Sequence, residues 1–545
     1  MVAEAVGSHE IARIVGEVES AMRAQDPERA LELANAAILR GMEHPALFNV
    51  RGIGLAQQGR HEEALADFRH NLTRFPRYPG SRLAVGQCCV QLGRWNEALA
   101  AFDAVVAAAP KFPLAHERRG LALSMLFERD ASRRAYERAV ELKPDFADAL
   151  ASLSMIAALE KDGVTARSVA RGALAADPKH ATAIVSLAML DIEDGDISAA
   201  EKKLETILDV FPSSDDLRAI AALGVLADAF ARLERTEAAF SAYAAINDKI
   251  QKIYAPRYEA ARMAEKVARL TTYFERSARW SAGRQYPAEP GDAAGHVFLL
   301  GYARSGTTLL EAVLASNDKV AALDERNCLR DADRAFLESD LDLDRLAALS
   351  DNDIEHWRNT YWNAVRREGI RFDGKVFLDK MPSYTINLPL IAKLFPAAKV
   401  LFALRDPRDV VLSCFRHRFV MNRYTFEFLS LENCARQYAA TMKLAELYRE
   451  ALPLDLRLHR YEDMILDFDS SIEAVCSFVG IEWDRSMRDF NEGTRVVKEH
   501  GQSVRQLRQG LYSGAEGQWR SYGKQLAPIL PILAPWIERF GYLAD

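Results

Sequence analysis

Several features that would fix a functional class at sight are scarce in this sequence. The 545 residues include only six cysteines, Cys88, Cys89, Cys328, Cys414, Cys434 and Cys476, with no CxxC pair. That usage excludes a disulfide scaffold and a cysteine-built zinc site, and the thiols are expected to be scattered and reduced. The eleven histidines show neither HxxxH nor HExxH spacing, so no metal is expected. No run reaches the ~20 apolar residues that span a bilayer, so no transmembrane segment is expected. The opening stretch MVAEAVGSHEIARIVGEVE carries acids where a secretion signal would start with bases, and the expected location is cytoplasmic. Neither sign of charge dominates. A formal charge of −7 and a pI near 6.0 exclude general attraction to nucleic acid and leave room only for a local basic pocket that holds a small anion.

What is present is an ordinary globular composition, 49% hydrophobic and 27% charged, in a chain too long for one core. Five prolines, Pro76, Pro110, Pro144, Pro178 and Pro212, stand 34 residues apart. Ala64, Ala98, Ser132, Ala166 and Ala200 keep the same step, each followed four positions later by Phe68, Phe102, Tyr136, Ala170 and Leu204. A small residue lets two helices approach, the residue one turn on fills the gap beside it, and proline ends the second helix. Gly59, Gly93 and Gly195 mark the turn inside the hairpin, with Phe127 and Lys161 at the same step in the other two units. A helical hairpin of this length cannot bury its own apolar face and must stack on neighbours. A 34-residue helix–turn–helix period is the signature of tetratricopeptide repeats. Five clear units are expected, with degenerate ones around Ala30 and Ala34 and around EAAFSAY at 237–243.

A charged helical pattern continues past residue 250, and SAGRQYPAEPGDAAG then collects the Pro and Gly of a connection. The expected domains are an array at 1–250, a helical linker at 251–290 and a chemistry domain at 291–545. That last domain opens with HVFLLGYARSGTTLLEAVLAS, an apolar strand at 296–300, a turn from Gly301 to Gly306 and a helix carrying Leu309, Leu310, Val313 and Leu314. Backbone N–H groups of such a loop and the positive end of the helix cradle an anion, with Thr307 and Thr308 adding hydroxyls and Arg304 a fixed charge. The spacing matches a nucleotide P-loop, but Thr307 stands where the P-loop lysine belongs, which suits a phosphate that is held rather than transferred. A second strand at 399–404 leads into Arg405 and, eight residues on, Ser413.

These two motifs resemble the sulfotransferase family, in the branch containing tyrosylprotein sulfotransferases and bacterial proteins with tetratricopeptide repeats ahead of the enzyme domain. LDKMP at 378–382, LFP at 394–396, RYEDM at 460–464, SVRQLRQGLY at 503–512 and WRSYGKQLAPIL at 519–530 extend the likeness over most of residues 296–540. The resemblance implies a repeat solenoid followed by an α/β P-loop-like domain with a central parallel sheet. It implies 3′-phosphoadenosine 5′-phosphosulfate (PAPS) as donor, without a metal, and an acceptor hydroxyl. Arg304, Ser305, Gly306, Thr307 and Thr308 would hold the 5′-phosphosulfate and Arg405 with Ser413 the 3′-phosphate. Tyr461 would lie near the adenine, Ser503 would close over the donor, and Lys380 would approach the sulfuryl group. ALDERN at 322–327 takes the place of the branch's GEETR segment, and a gap-free count from the loop puts Glu325 on the catalytic base, with Asp324 as the nearby substitute.

This sequence departs from the pattern at Ala303, where proline is usual, at Gly510, also usually proline, and at Asn327, which replaces an arginine now one position early as Arg326. The last change puts an acidic tyrosyl-peptide acceptor in doubt. Two other readings stand beside the enzyme: a P-loop kinase, which should show the missing lysine, and a tetratricopeptide adaptor whose second domain binds nucleotide without turnover. The array itself is expected to bind a protein or peptide, either acceptor or partner, or to mediate assembly such as a homodimer.

Overall fold

The computed structural model describes residues 2–24, 26–76, 80–213, 217–258, 263–276, 280, 293–490 and 516–542. Ser503, Gly510 and the SVRQLRQGLY segment lie outside them, as does most of the Pro- and Gly-rich connection. The chain forms two compact units, Met1–Lys249 and Ile250–Asp545.

The first unit is a run of helical hairpins: α1 (Val2–Arg23) with α2 (Pro27–Leu39), α3 (Pro45–Gln57) with α4 (His61–Arg74), α5 (Gly80–Gln91) with α6 (Trp95–Ala108), and α7 (Pro113–Met125) with α8 (Arg129–Leu142). It continues through α9 (Ala147–Leu159) with α10 (Gly163–Ala176), α11 (Ala181–Glu193) with α12 (Ile197–Val210), and α13 (Leu217–Arg232) with the part of α14 (Thr236–Tyr258) that precedes Ile250. Each periodic proline stands two residues beyond the end of the second helix, where a missing N–H is harmless.

The turn inside the hairpin keeps one geometry whatever residue occupies it. Gly59, Gly93 and Gly195 have φ between 70° and 82°, and Phe127, Lys161 and Glu234 share the left-handed region at 63°, 63° and 57°. In each case the next N–H reaches back to close the helix end, as in Arg60 N to Leu55 O at 2.9 Å, Glu128 N to Leu123 O at 2.9 Å and Arg235 N to Phe230 O at 2.9 Å. The hydrogen bond that closes the helix end thus enforces a conformation that a side chain disfavours by about 1–2 kcal/mol.

Packing within a hairpin rests on matched sizes. A Cβ placed on Gly52 would stand 2.7 Å from the Phe68 ring and one on Gly120 2.7 Å from Tyr136, and Gly86 faces Phe102 in the same way. At the next step Ser154 replaces glycine, donating to Ala166 O at 2.9 Å, and its register partner is the small Ala170. Ala188 then stands opposite Leu204 in the register. The first helix gives up volume where the second one carries an aromatic ring.

A cavity of about 710 Å³ opens in this unit, with Ile53, Phe68 and Leu121 among its apolar lining and Asp148, His180 and Arg218 among its polar one. Asp148 accepts from Arg218 at 2.7 Å and lies 3.1 Å from His180 Nε2, while Arg218 also pairs with the buried Glu117. Burial opposes the charge of Asp148, yet His180 and Arg218 together hold its carboxyl below the usual range.

The second unit is built on five parallel strands in the order β2-β3-β1-β4-β5: β1 (Gly295–Gly301), β2 (Val320–Asp324), β3 (Val376–Lys380), β4 (Lys399–Leu404) and β5 (Asp455–Arg460). Both faces are covered, which is why the central strands read as nearly unbroken apolar runs. One face packs Val297, Leu299, Leu378 and Leu401 against Leu310, Val313 and Leu314 of α16 (Thr307–Ala315) and against Ile472 and Val475. Each such buried side chain contributes about 1.5–3 kcal/mol. The other face is aromatic, with His296 and Phe298 among Tyr361, Trp362, Phe377 and Phe395.

Helix α15 (Met263–Arg276) falls within the stretch expected as a linker and packs inside this unit. Its Phe274 ring meets Tyr448 edge-on at 4.8 Å, and Lys266 pairs with Asp333 at 2.8 Å. Among the described residues no helix is long and apolar enough to cross a membrane.

Candidate functional site

The strand order changes direction beside β1, so the crevice at the carboxyl ends of β1, β3 and β4 is where an open parallel sheet presents a ligand site. The chain leaves β1 at Gly301, whose hypothetical Cβ would stand 2.7 Å from Ala403 O of β4, and turns with Arg304 at φ 68° and Gly306 at φ 89°. Left-handed residues alternating with ordinary ones turn successive N–H groups to one side, the backbone pattern of an anion cradle. Gly306 is the N-cap of α16, so the positive end of that helix faces the same place.

The carbonyls of this loop are engaged from behind. Gly301 O accepts from Thr385 Oγ1 at 2.6 Å, Ala303 O from Cys414 Sγ at 3.4 Å and Arg304 O from Arg405 Nη1 at 3.2 Å. Tyr302, fully buried, donates to Gln437 Oε1 at 3.0 Å and packs edge-on to Tyr438. Three acceptors that would repel an anion are thereby engaged within the protein.

Two arginines meet at this loop. Arg304 Nε donates to Ser413 Oγ at 3.0 Å, and Arg405 lies with its guanidinium carbon 5.0 Å from the centre of the Tyr461 ring. That same ring comes so close to Gly306 that a Cβ there would stand 2.6 Å from it. Burial first, and then the like charge of Arg405, push the Arg304 guanidinium below its ordinary value. Buried like charges of this kind are stabilised by a bound anion.

Across the end of β1 stands Lys380, the last residue of β3, in register with Leu299. Its ammonium lies 2.9 Å from Glu325 Oε1 and 3.4 Å from Glu311 Oε2 and also contacts Asp324. Burial works against the charge, but Glu311, Glu325 and Asp324 together raise Lys380 above the usual lysine range. Glu325 follows β2 with φ 49°, a left-handed backbone held by its own N–H bonding Lys380 O at 2.9 Å. A left-handed backbone at a residue with a side chain costs about 1–2 kcal/mol, and this hydrogen bond to β3 holds it in place.

The fold thus gathers Arg304, Ser305, Gly306, Thr307, Thr308, Arg405, Ser413 and Tyr461 at the loop and Lys380 with Glu325 beside it. Ser503 lies outside the described residues. The segment that begins at Arg405 reads RDPRD over 405–409, and the rest of it is a clasp. Asp406 caps its helix by accepting from Arg408 N at 2.9 Å and pairs with the Arg408 guanidinium at 2.7 Å. Arg408 in turn lies 3.6 Å from the Trp519 ring centre. Asp409 accepts from Gly517 N at 2.7 Å and Trp519 N at 2.9 Å, with burial raising its carboxyl. Glu462 of RYEDM accepts from Asp406 N at 2.9 Å and from Tyr542 Oη at 2.7 Å.

Sequence reasoning missed Glu311, Thr385 and Cys414. Glu311 leaves one readable trace, a lone carboxylate in the apolar helix TTLLEAVLA.

Residues 296–485 match the family model described as the sulfotransferase family. Residues 55–119, and separately 15–79, 128–181 and 185–249, match tetratricopeptide-repeat models. An uncharacterized protein of Aquifex aeolicus is 25% identical over 280 residues, covering 46% of this chain and 33% of that protein. Protein-tyrosine sulfotransferase 2 of Gallus gallus is 24% identical over 264 residues, covering 45% of this chain and 69% of that protein. The match therefore spans about a third of the first relative's length. Among solved structures, a tetratricopeptide repeat protein of Parabacteroides merdae aligns at TM-score 0.36 and 15% identity over 44% of this chain and 93% of that one. YrrB, described as a TPR protein with an unusual peptide-binding site, aligns at TM-score 0.28 and 22% identity over 35% and 96%.

Proposed function

We propose that this chain, a tetratricopeptide-repeat array followed by a sulfotransferase-family domain, moves a sulfuryl group from PAPS to an acceptor hydroxyl, with the array binding a protein acceptor or partner. The observation that carries this reading is the meeting of Arg304, Ser413 and Arg405 at a loop whose carbonyls are already engaged. Two crowded guanidiniums, a helix N-terminus and the close approach of the Tyr461 ring to Gly306 fit an anionic adenosine carrier.

When bound, the donor supplies a sulfuryl group whose bond to phosphate oxygen breaks as the acceptor oxygen bonds sulfur. The chain's own residues do the rest. Arg304 and Arg405 hold phosphate charge, and Ser305, Thr307 and Thr308 add donors at the helix end. Glu325, half exposed and next to Lys380, takes the proton of the acceptor hydroxyl. Lys380, held charged, stabilises negative charge where the bond to phosphate opens, an effect worth most in a buried, preorganised setting. Positioning supplies much of the rate, because acceptor and donor meet in one cleft.

Calorimetric titration of the purified chain with PAPS, with 3′,5′-phosphoadenosine and with ATP tests the donor. Incubating labelled PAPS with cell extract and the protein then asks which fraction gains label. Tight binding of the first two ligands and label transfer support the reading. ATP preference points to a kinase, and binding without sulfate release to any acceptor points to an adaptor.

A further inference from the structure

We propose that Glu311 is a positioning residue for Lys380, holding the ammonium so that one of its three N–H donors can leave Glu325 for the transferred group. This inference rests on the sulfotransferase reading above. Three carboxylates surround one lysine, and they are not equivalent. The Lys380 side chain is 1% exposed and that of Glu311 11%, while Asp324 and Glu325 are 35% and 56% exposed. Glu311 sits on α16 beside Leu310, which lies in the core, and its own side chain is largely buried, so its carboxylate has less room to move than those of Asp324 and Glu325. The same helix begins at the anion loop, and Glu311 lies one turn beyond Thr307. A single rigid element therefore fixes both the loop and the lysine.

Chemistry explains why a carboxylate occupies this place. A leucine at 311 would suit the surrounding core, whereas an acid there costs several kcal/mol unless a cation meets it. Lys380 is that cation. Among the described residues the charges paired with it are Glu311 from α16 and Asp324 and Glu325 from the end of β2. Asp379, its neighbour in β3, projects to the opposite sheet face, and Arg304 of the loop interacts electrostatically with Glu325. Among the described residues three acids thus meet this one lysine. The arm on the solvent side, Glu325, can exchange its ammonium partner for an acceptor proton without stranding Lys380, because Glu311 and Asp324 remain. Burial works against the Lys380 ammonium while the three acids hold it above the usual lysine range, and removing one of them should bring it down.

The test compares wild type with Glu311→Gln, which keeps size and an acceptor oxygen, and Glu311→Ala. Two readouts are the pH dependence of kcat and the NMR titration of Lys380 with 13C at its ε position. The expected result for Glu311→Gln is a kcat lower by roughly 10- to 100-fold, with KM for PAPS and affinity for 3′,5′-phosphoadenosine nearly unchanged. The alkaline limb of the kcat profile and the Lys380 titration should both move to lower pH. An active wild type whose Glu311→Gln variant melts lower but keeps the same alkaline limb and the same Lys380 titration overturns the role of Glu311 alone. A wild type that releases no sulfate from PAPS overturns the sulfotransferase reading, and with it the inference.

Discussion

Arg304 Nε donates to Ser413 Oγ at 3.0 Å across 109 residues of chain, joining the loop after β1 to the helix after β4. The two motifs that resemblance assigns to opposite ends of one donor are thus in direct contact through their side chains. Anything that weakens one should be felt at the other.

Arg405→Ala removes a guanidinium that lies over the Tyr461 ring and bonds Arg304 O. Charge-assisted hydrogen bonds are worth about 1.5–3 kcal/mol, so affinity for 3′,5′-phosphoadenosine should fall roughly 10- to 100-fold. Isothermal titration at fixed ionic strength measures it, and an unchanged Kd would remove Arg405 from the site.

Glu325→Ala should leave that affinity nearly intact while lowering kcat by about 10²–10⁴, the usual worth of a positioned base. Single-turnover assays separate the two effects. Equal turnover in wild type and variant would eliminate Glu325 as the base.

Asp379 supplies a pH dependence of stability. Burial raises its carboxyl to about 7 from the ordinary 3.8, although Tyr361 donates to it at 2.7 Å and Lys380 adds an opposing charge. An acid with a raised folded-state pKa contributes fully below its unfolded value and loses that contribution as pH climbs through the folded one. Stability of the second unit should therefore decline between about pH 4 and pH 7 on account of this residue. Asp379→Asn should flatten that segment of a denaturation-midpoint profile, and a slope that persists in the variant contradicts the assignment.

Phe127 is 74% exposed and left-handed, so Phe127→Gly relieves backbone strain while giving up little packing. Net stabilisation of about 0.5–1 kcal/mol is expected after the entropy cost of glycine. Gly93→Ala, in the same geometry, should go the other way. Urea midpoints of the two variants give the comparison, and equal shifts in the same direction would defeat the argument.

Gly86→Ala forces a methyl group into the Phe102 ring and should cost about 1–3 kcal/mol, the range for overpacking. Phe102→Leu in the same chain should recover part of that loss. No recovery would mean the clash is relieved elsewhere.

The array was legible because proline acts on the backbone locally and its spacing survives substitution elsewhere. The anion loop was legible for a similar reason: strand, turn and helix start are contiguous in GYARSGTTLL. The contact of Lys380 with Glu311 was not, since it depends on β3 lying beside β1 with Lys380 opposite Leu299. Nor could the sequence say that Phe127 and Lys161 would copy a glycine's conformation. Helix-end hydrogen bonds decide that, and they leave no compositional mark. The clasp roles of Asp406, Arg408 and Asp409 were hidden because nothing in RDPRD separates these three charged residues from one another until Trp519 and Gly517 stand opposite them.

The matched pairs Gly52 with Phe68, Gly86 with Phe102 and Gly120 with Tyr136 each lie inside one hairpin. Every such module arrives with its own internal fit already made, so whole modules can be gained or lost by duplication or deletion without retuning that contact. Changing the length of the array on this account disturbs the internal contact less than altering a single residue of any of these three pairs.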